Sequence, residues 1–295
     1  MKISFISLHP YWGGLANNGG SRTILKSAQV LRDLGHEVNI VTKNDTLTWF
    51  DHPKPIAEIP RDSDVCISVA ASDIPYTHAL SPVKAKRFYW MRGYEIWQLP
   101  ERTMWKNLRM GQTNIVNSIG LKMLLDGENI PCKLCYSGLD IPAGYPPKNN
   151  ETKYIGFLGK TNHQTKRWDL CKKLMSLFPD SKFKVMENVK EKNHAEFYSS
   201  INIWFAPTEL EGFHNPPAEA NLSGALVVCN KNPMNGMQDY ATDETAMIYN
   251  TFAEAVECIR NPDFSKVPKM QKVLIEKIGD RKSNMEKLVK ILEEA

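Results

Sequence analysis

Short apolar runs alternate along this chain with stretches of helical periodicity, and that alternation restricts it to parallel sheets flanked by helices. A strand is predicted over residues 3–8. A helix follows over 21–34, with Ile24, Ala28 and Leu31 on one face and Gly35 as its stop, and then a strand over 37–43. Further strands are predicted over 64–70, 87–91 and 114–117, then a helix capped by Ser118 through Asp126 and a strand over 133–136. The order β-α-β repeated in this way is the signature of a doubly wound α/β domain.

The segment 141–150 is rich in Pro, Gly and Asn and has no period, so it reads as a linker. A second alternating series follows, with strands predicted over 154–159, 183–186, 201–205, 225–229 and 246–249. Helical patterns over 252–260, 266–278 and 281–294 close the sequence. The expected division is an N-terminal domain over 1–140, a linker over 141–151, a second Rossmann-like domain over 152–280, and a terminal helix over 281–295.

At 295 residues there is enough chain for two such domains, and 42% hydrophobic with 24% charged residues is ordinary for a globular protein. The net charge of +4 suits an anionic ligand or a membrane surface and is too small to require nucleic acid. No run approaches the roughly 20 apolar residues of a membrane span, and residues 2–8 are too short for a secretion signal, so a cytoplasmic location is expected. The six cysteines are scattered, and Cys132 and Cys135 sit on a predicted strand without a second Cys or His pair, which reads as buried thiols rather than a zinc or redox site.

The segment Glu211-Gly212-Phe213-His214-Asn215-Pro216-Pro217-Ala218-Glu219 carries the chemistry. A glycine-bearing turn runs into a proline-started helix, Gly224 ends that helix, and an apolar strand follows. Carboxylates placed on the loop and in the first helical turn can accept hydrogen bonds from sugar hydroxyls, while loop N–H groups face an anion. The pattern resembles the Glu-x7-Glu signature of the retaining glycosyltransferases of family 4, which have the GT-B fold of two facing Rossmann-like domains. His214 stands where that family commonly has a small residue.

Other segments fit the same resemblance. Gly19 and Gly20 lie between the first strand and the first helix, like the family's glycine pair at a phosphate. After the first strand of the second domain, Lys160 stands where the family usually has an Arg, and Lys166 or Arg167 supplies the second cation of a diphosphate clamp. The segment Arg92 to Trp97 resembles a Gly-Tyr-Glu-x-Trp segment of some members. There Tyr94, Glu95 and Trp97, with His9, are acceptor-side candidates, and packing of a domain corner is the alternative. Arg102, Lys106 and Arg109 beside Met104, Trp105 and Leu108 suggest a basic amphipathic helix that touches anionic lipid or caps the domain. Asp62-Ser63-Asp64 mimics a metal-binding Asp-x-Asp but precedes a strand, on the side away from ligand sites, so no metal is expected.

The resemblance implies a retaining transferase that moves a hexose-type sugar from a UDP- or GDP-linked donor to a hydroxyl acceptor, with no cofactor or metal. Glu219 holds the ribose, Glu211 the transferred sugar, and Lys160 with Lys166 the departing diphosphate, helped by backbone around Gly20 and Phe213 to Asn215. A glycan, a lipid-linked glycan, a protein or a modified nucleic acid are all open as acceptor, and so is peripheral membrane contact. Two other readings stay open: a GT-B-fold nucleotide-sugar epimerase or hydrolase, and a catalytically silent sugar-nucleotide-binding module.

Overall fold

Among the described residues the strands form two sheets in which every pairing is parallel. The structure is a computed structural model that describes residues 1–11, 15, 18–43, 53–141, 154–159, 164–187, 189 and 193–295. Most of the predicted linker and Lys160 lie outside these residues. The chain divides into two compact units, Met1–Gly138 with Arg281–Ala295, and Leu139–Asp280.

The first unit runs β1 (Lys2–Ser7), α1 (Gly19–Asp33), β2 (Glu37–Thr42), β3 (Val65–Ser68), α2 (Ile74–Leu80), β4 (Lys86–Met91), α3 (Glu101–Leu108), β5 (Thr113–Val116), α4 (Ile119–Gly127) and β6 (Cys132–Leu134). Its sheet order is β2-β1-β3-β4-β5-β6. The Asn18 side chain caps α1 by accepting from Ser21 N at 2.9 Å, and Ser118 caps α4 by accepting from Leu121 N at 3.2 Å. Such caps contribute about 1 kcal/mol each. Gly35, at φ +87°, takes the left-handed turn that ends α1. Helix α2 is not visible in the sequence because seven residues with a proline in the first turn are too few to display a period.

The second unit runs β7 (Tyr154–Leu158), α5 (Trp168–Leu177), β8 (Lys182–Met186), α6 (His194–Ser199), β9 (Ile203–Ala206), α7 (Asn215–Leu222), β10 (Leu226–Asn230), β11 (Met247–Tyr249), α8 (Phe252–Arg260) and α9 (Lys266–Val273). Its order is β11-β10-β9-β7-β8. Counted from each unit's first strand, both sheets begin with the order 2-1-3-4-5, so the winding reverses between β1 and β3 and again between β7 and β9. Ligands of open parallel sheets bind beyond the strand C-termini at such a reversal.

The terminal helix, Arg281–Glu294, belongs to the first unit. Its Met285, Leu288 and Leu292 are fully buried in one core with Ile24, Ala28 and Leu31 of α1 and with Phe5, Ile67 and Trp90 of the sheet. Lys86 Nζ donates to the carbonyls of Glu293 at 2.8 Å and Leu292 at 3.3 Å, a cation on the carbonyl end of a helix, where it is stabilising. Truncating one of these apolar side chains leaves a cavity. Leu288→Ala is expected to cost about 2–5 kcal/mol, read from the midpoint of a urea melt, and a cost under about 1 kcal/mol would show that the helix is dispensable to the core.

Candidate functional site

The loops that follow β7 and β9 meet at the reversal in the second unit. Glu209 N donates to Thr165 O at 2.8 Å, which ties the loop after β9 to the turn Gln164–Lys166. At this junction Lys166 Nζ forms an ion pair with Glu211, each side chain 21% exposed. Burial pushes the Lys166 ammonium down to about 8, so it is charged at neutral pH. The neighbouring cation is already committed: Arg167 sits at φ +51° at the head of α5, and its guanidinium bonds Asp169 at 3.1 Å and also Glu209. Of the two residues predicted for the second clamp position, Lys166 is therefore the one beside Glu211.

The turn that carries Glu211 is fixed from behind by residues the sequence reading does not select. Glu211 N donates to Met234 O at 2.9 Å, His214 N donates to Gly236 O at 3.0 Å, and Tyr240 Oη donates to His214 O at 2.5 Å. Phe213, 7% exposed, packs its ring 5.3 Å from that of Tyr240. Gly236 is at φ +75°, and a Cβ there would stand 2.6 Å from Gly212 O and 2.7 Å from Glu211 Cβ, so no larger residue fits against this turn. The Asn235-Gly236 pair is the one legible signal of this support, as a turn dipeptide.

The turn and helix start are expected to offer backbone N–H groups to an anion. His214 N is bonded to Gly236 O, and Pro216 and Pro217, which occupy the first turn of α7, have no N–H at all.

His214, directly before α7, is 2% exposed, and its Nε2 lies 3.8 Å from Glu211 Oε1. Neither ring nitrogen has a hydrogen-bond partner among the described residues. Burial, with the Lys166 charge nearby, holds the ring well below the usual histidine range, so it is neutral. Further along α7, Glu219 is half-buried and its Oε2 accepts from Tyr198 Oη at 2.8 Å. Tyr198 is itself buried, edge-on to Trp204 at 5.7 Å, and no sequence signal points to it.

In the first unit a second built cluster stands at the β1/β3 reversal. Asp73, buried, accepts from Leu8 N at 2.8 Å, His9 N at 2.9 Å and Ala70 N at 3.2 Å. Arg92 donates to the carbonyls of Gly20 and Val69, so the exposed Gly19–Gly20 start of α1 is tied to the end of β4. Glu95 is 5% exposed and accepts from Ala71 N at 2.7 Å, which makes it a brace for backbone in this structure. Tyr94 donates to Glu101 and lies 5.9 Å from Trp105, whereas Trp97 is 45% exposed. His9 is half-buried, edge-on to Tyr76 at 5.8 Å, and burial lowers its pKa.

Asp62 pairs with Lys2 Nζ at 2.9 Å and Asp64 accepts from Lys2 N at 2.7 Å, at the N-terminal edge of the sheet. Among the described residues no three His, Cys, Asp or Glu side chains gather as a metal ion would require. No helix among them is long and apolar enough to cross a membrane.

Solved structures resemble this chain in fold. Sucrose-phosphate synthase from Thermosynechococcus elongatus matches at TM-score 0.73 and 12% identity, over 99% of this chain and 98% of that one. Anabaena HepE in complex with UDP-glucose matches at 0.70 and 13%, over 100% of both chains. The chain has the GT-B fold. A TarM variant from S. aureus in complex with fondaparinux, α-GlcNAc-glycerol and UDP matches at 0.64 and 13%, over 79% of this chain, which spans about half (55%) of TarM. No protein-family model and no curated sequence matches the chain. At such identities the likeness is one of fold.

Burial raises Asp73 to about 7 against the pull of its N–H partners, and the Glu95 charge adds to the rise. Between about pH 4 and 7 the folded chain thus holds a proton that the unfolded chain has released, and stability from this group falls as pH rises through that window. Relative to Asp73→Asn, the wild type should lose stability from about pH 4 to 7 and change no further above it. Parallel pH–stability curves for the two proteins would refute the assignment.

Proposed function

We propose that the chain is a retaining glycosyltransferase that moves a hexose from a nucleoside diphosphate donor, UDP- or GDP-linked, to a hydroxyl acceptor. The observation that carries this reading is the Lys166–Glu211 pair at the β7/β9 reversal with Glu219 in the adjacent helix, on a fold shared with proteins solved with UDP and UDP-glucose. Lys166, with Lys160 as the other cation of the clamp, neutralises the departing diphosphate. Glu219, held by Tyr198, accepts from the ribose hydroxyls, and Glu211 contacts the transferred sugar and supports positive charge developing at its anomeric carbon. Phe213, Asn215 and Arg167 shape the donor loop, and the Gly19–Gly20 turn gives backbone to a phosphate. His9 and the exposed Trp97 are the acceptor-side surface, with Tyr94 and Glu95 bracing it.

No covalent nucleophile is assigned among the described residues, and the reading takes displacement on one face, where the leaving phosphate draws off the acceptor proton. The same cations replace a divalent metal. A glycan product is therefore expected to keep the donor's anomeric configuration and to form in excess chelator. An inverted linkage in the nuclear magnetic resonance spectrum, or activity that returns only with manganese, would refute the mechanism. Consumption of donor without any acceptor would favour a hydrolase or epimerase, and binding without turnover a silent module.

The two glutamates separate by kinetics. A hydrogen bond to a charged group contributes about 1.5–3 kcal/mol, so Glu219→Gln should weaken nucleotide binding roughly ten-fold or more. Glu211→Gln should mainly lower kcat, because its interaction is strongest in the transition state. Unchanged binding and turnover in both variants would remove the donor site from this helix.

A further inference from the structure

His214 presents a buried imidazole that satisfies neither of its nitrogens among the described residues, beside the ion pair of the candidate donor site. A buried polar group without a partner is costly, so each one in a folded protein calls for an explanation, and a partner that another state supplies is one. The backbone around this ring cannot turn away, since His214 N is bonded to Gly236 O and His214 O is bonded by Tyr240. A carboxylate acceptor stands close by: Glu211 Oε1 lies 3.8 Å from Nε2, and it is the same oxygen that Lys166 holds.

Resting on the donor-site reading above, we propose that His214 is the reserve hydrogen-bond donor of Glu211: when a nucleoside diphosphate draws the Lys166 ammonium onto its phosphates, the imidazole N–H closes on the carboxylate that Lys166 has left. One ammonium cannot serve the carboxylate and a diphosphate equally. A part-buried carboxylate stripped of its cation would otherwise oppose binding. A neutral imidazole suits the exchange because it offers one N–H and brings no positive charge to compete for Lys166. No proton is transferred. His214 is in this sense a positioning residue: it holds Glu211 aimed at the sugar after the ion pair opens. A small residue at this place would leave the carboxylate to water or to Lys166.

The test is a double-mutant cycle read by calorimetric binding of UDP, GDP and ADP. Through the lost charged hydrogen bond, His214→Phe should weaken the best of these ligands about ten-fold or more in the wild-type background. In the Glu211→Ala background, where there is no carboxylate to receive the N–H, the same change should alter affinity by no more than about two-fold. Equal weakening in both backgrounds would mean that the ring only fills space, and would overturn the proposal. Should His214→Phe not fold, 15N resonances of histidine in the unmodified protein give the same answer, because the His214 ring should shift to a hydrogen-bonded N–H on saturation with the nucleotide. Binding without that shift overturns the proposal and leaves the donor-site reading intact. Failure of all three nucleotides to bind overturns both.

Discussion

β7 and β9 lie side by side in parallel although an entire helix, strand and helix separate them in the sequence. A parallel strand must be followed by a crossover, and at this pair the crossovers depart to opposite ends of the sheet, so their loops part and leave an opening at the strand ends. Lys166 comes from one loop and Glu211 from the other. Their attraction across the opening is possible only because the order of strands puts it there. Were β9 to pair elsewhere, both residues would be ordinary surface charges, worth little to stability or chemistry.

The opening is rigid on one wall. Gly236, Met234 and Tyr240 clamp the turn 211–214 through backbone and ring contacts, and the two prolines stiffen the helix that follows. The other wall is set by Arg167, whose ties to Glu209 and Asp169 hold the head of α5. Between these supports the Lys166 side chain is the long, adjustable element. A cation on a flexible stem can follow an anion over some distance, where a guanidinium fork would demand one geometry.

The fold was largely legible because strands buried on both faces must be continuously apolar, and helices such as α1 display their stripe over several turns. What escaped were α2 and α6, too short for a period, the ten-residue helix α5, and the details of each boundary. The glutamate pair was legible through local spacing. The Tyr198 bond to Glu219, the glycine-and-tyrosine clamp behind Glu211 and the commitment of Arg167 were not, because each joins residues distant in sequence through packing that only the folded sheet creates.

The first unit is closed by a helix that the chain supplies only after the whole of the second unit. During synthesis the sheet of the first unit emerges early, but Met285, Leu288 and Leu292 are still unmade, and the groove they fill between α1 and the sheet stays open. The second unit has all its strands and helices before then. Vectorial synthesis therefore reverses the order of the sequence: the later unit can finish folding first, while the earlier one waits with exposed apolar surface that a chaperone could bind. A stalled or prematurely ended chain would display that surface permanently, a mark by which quality control could distinguish it from the finished protein.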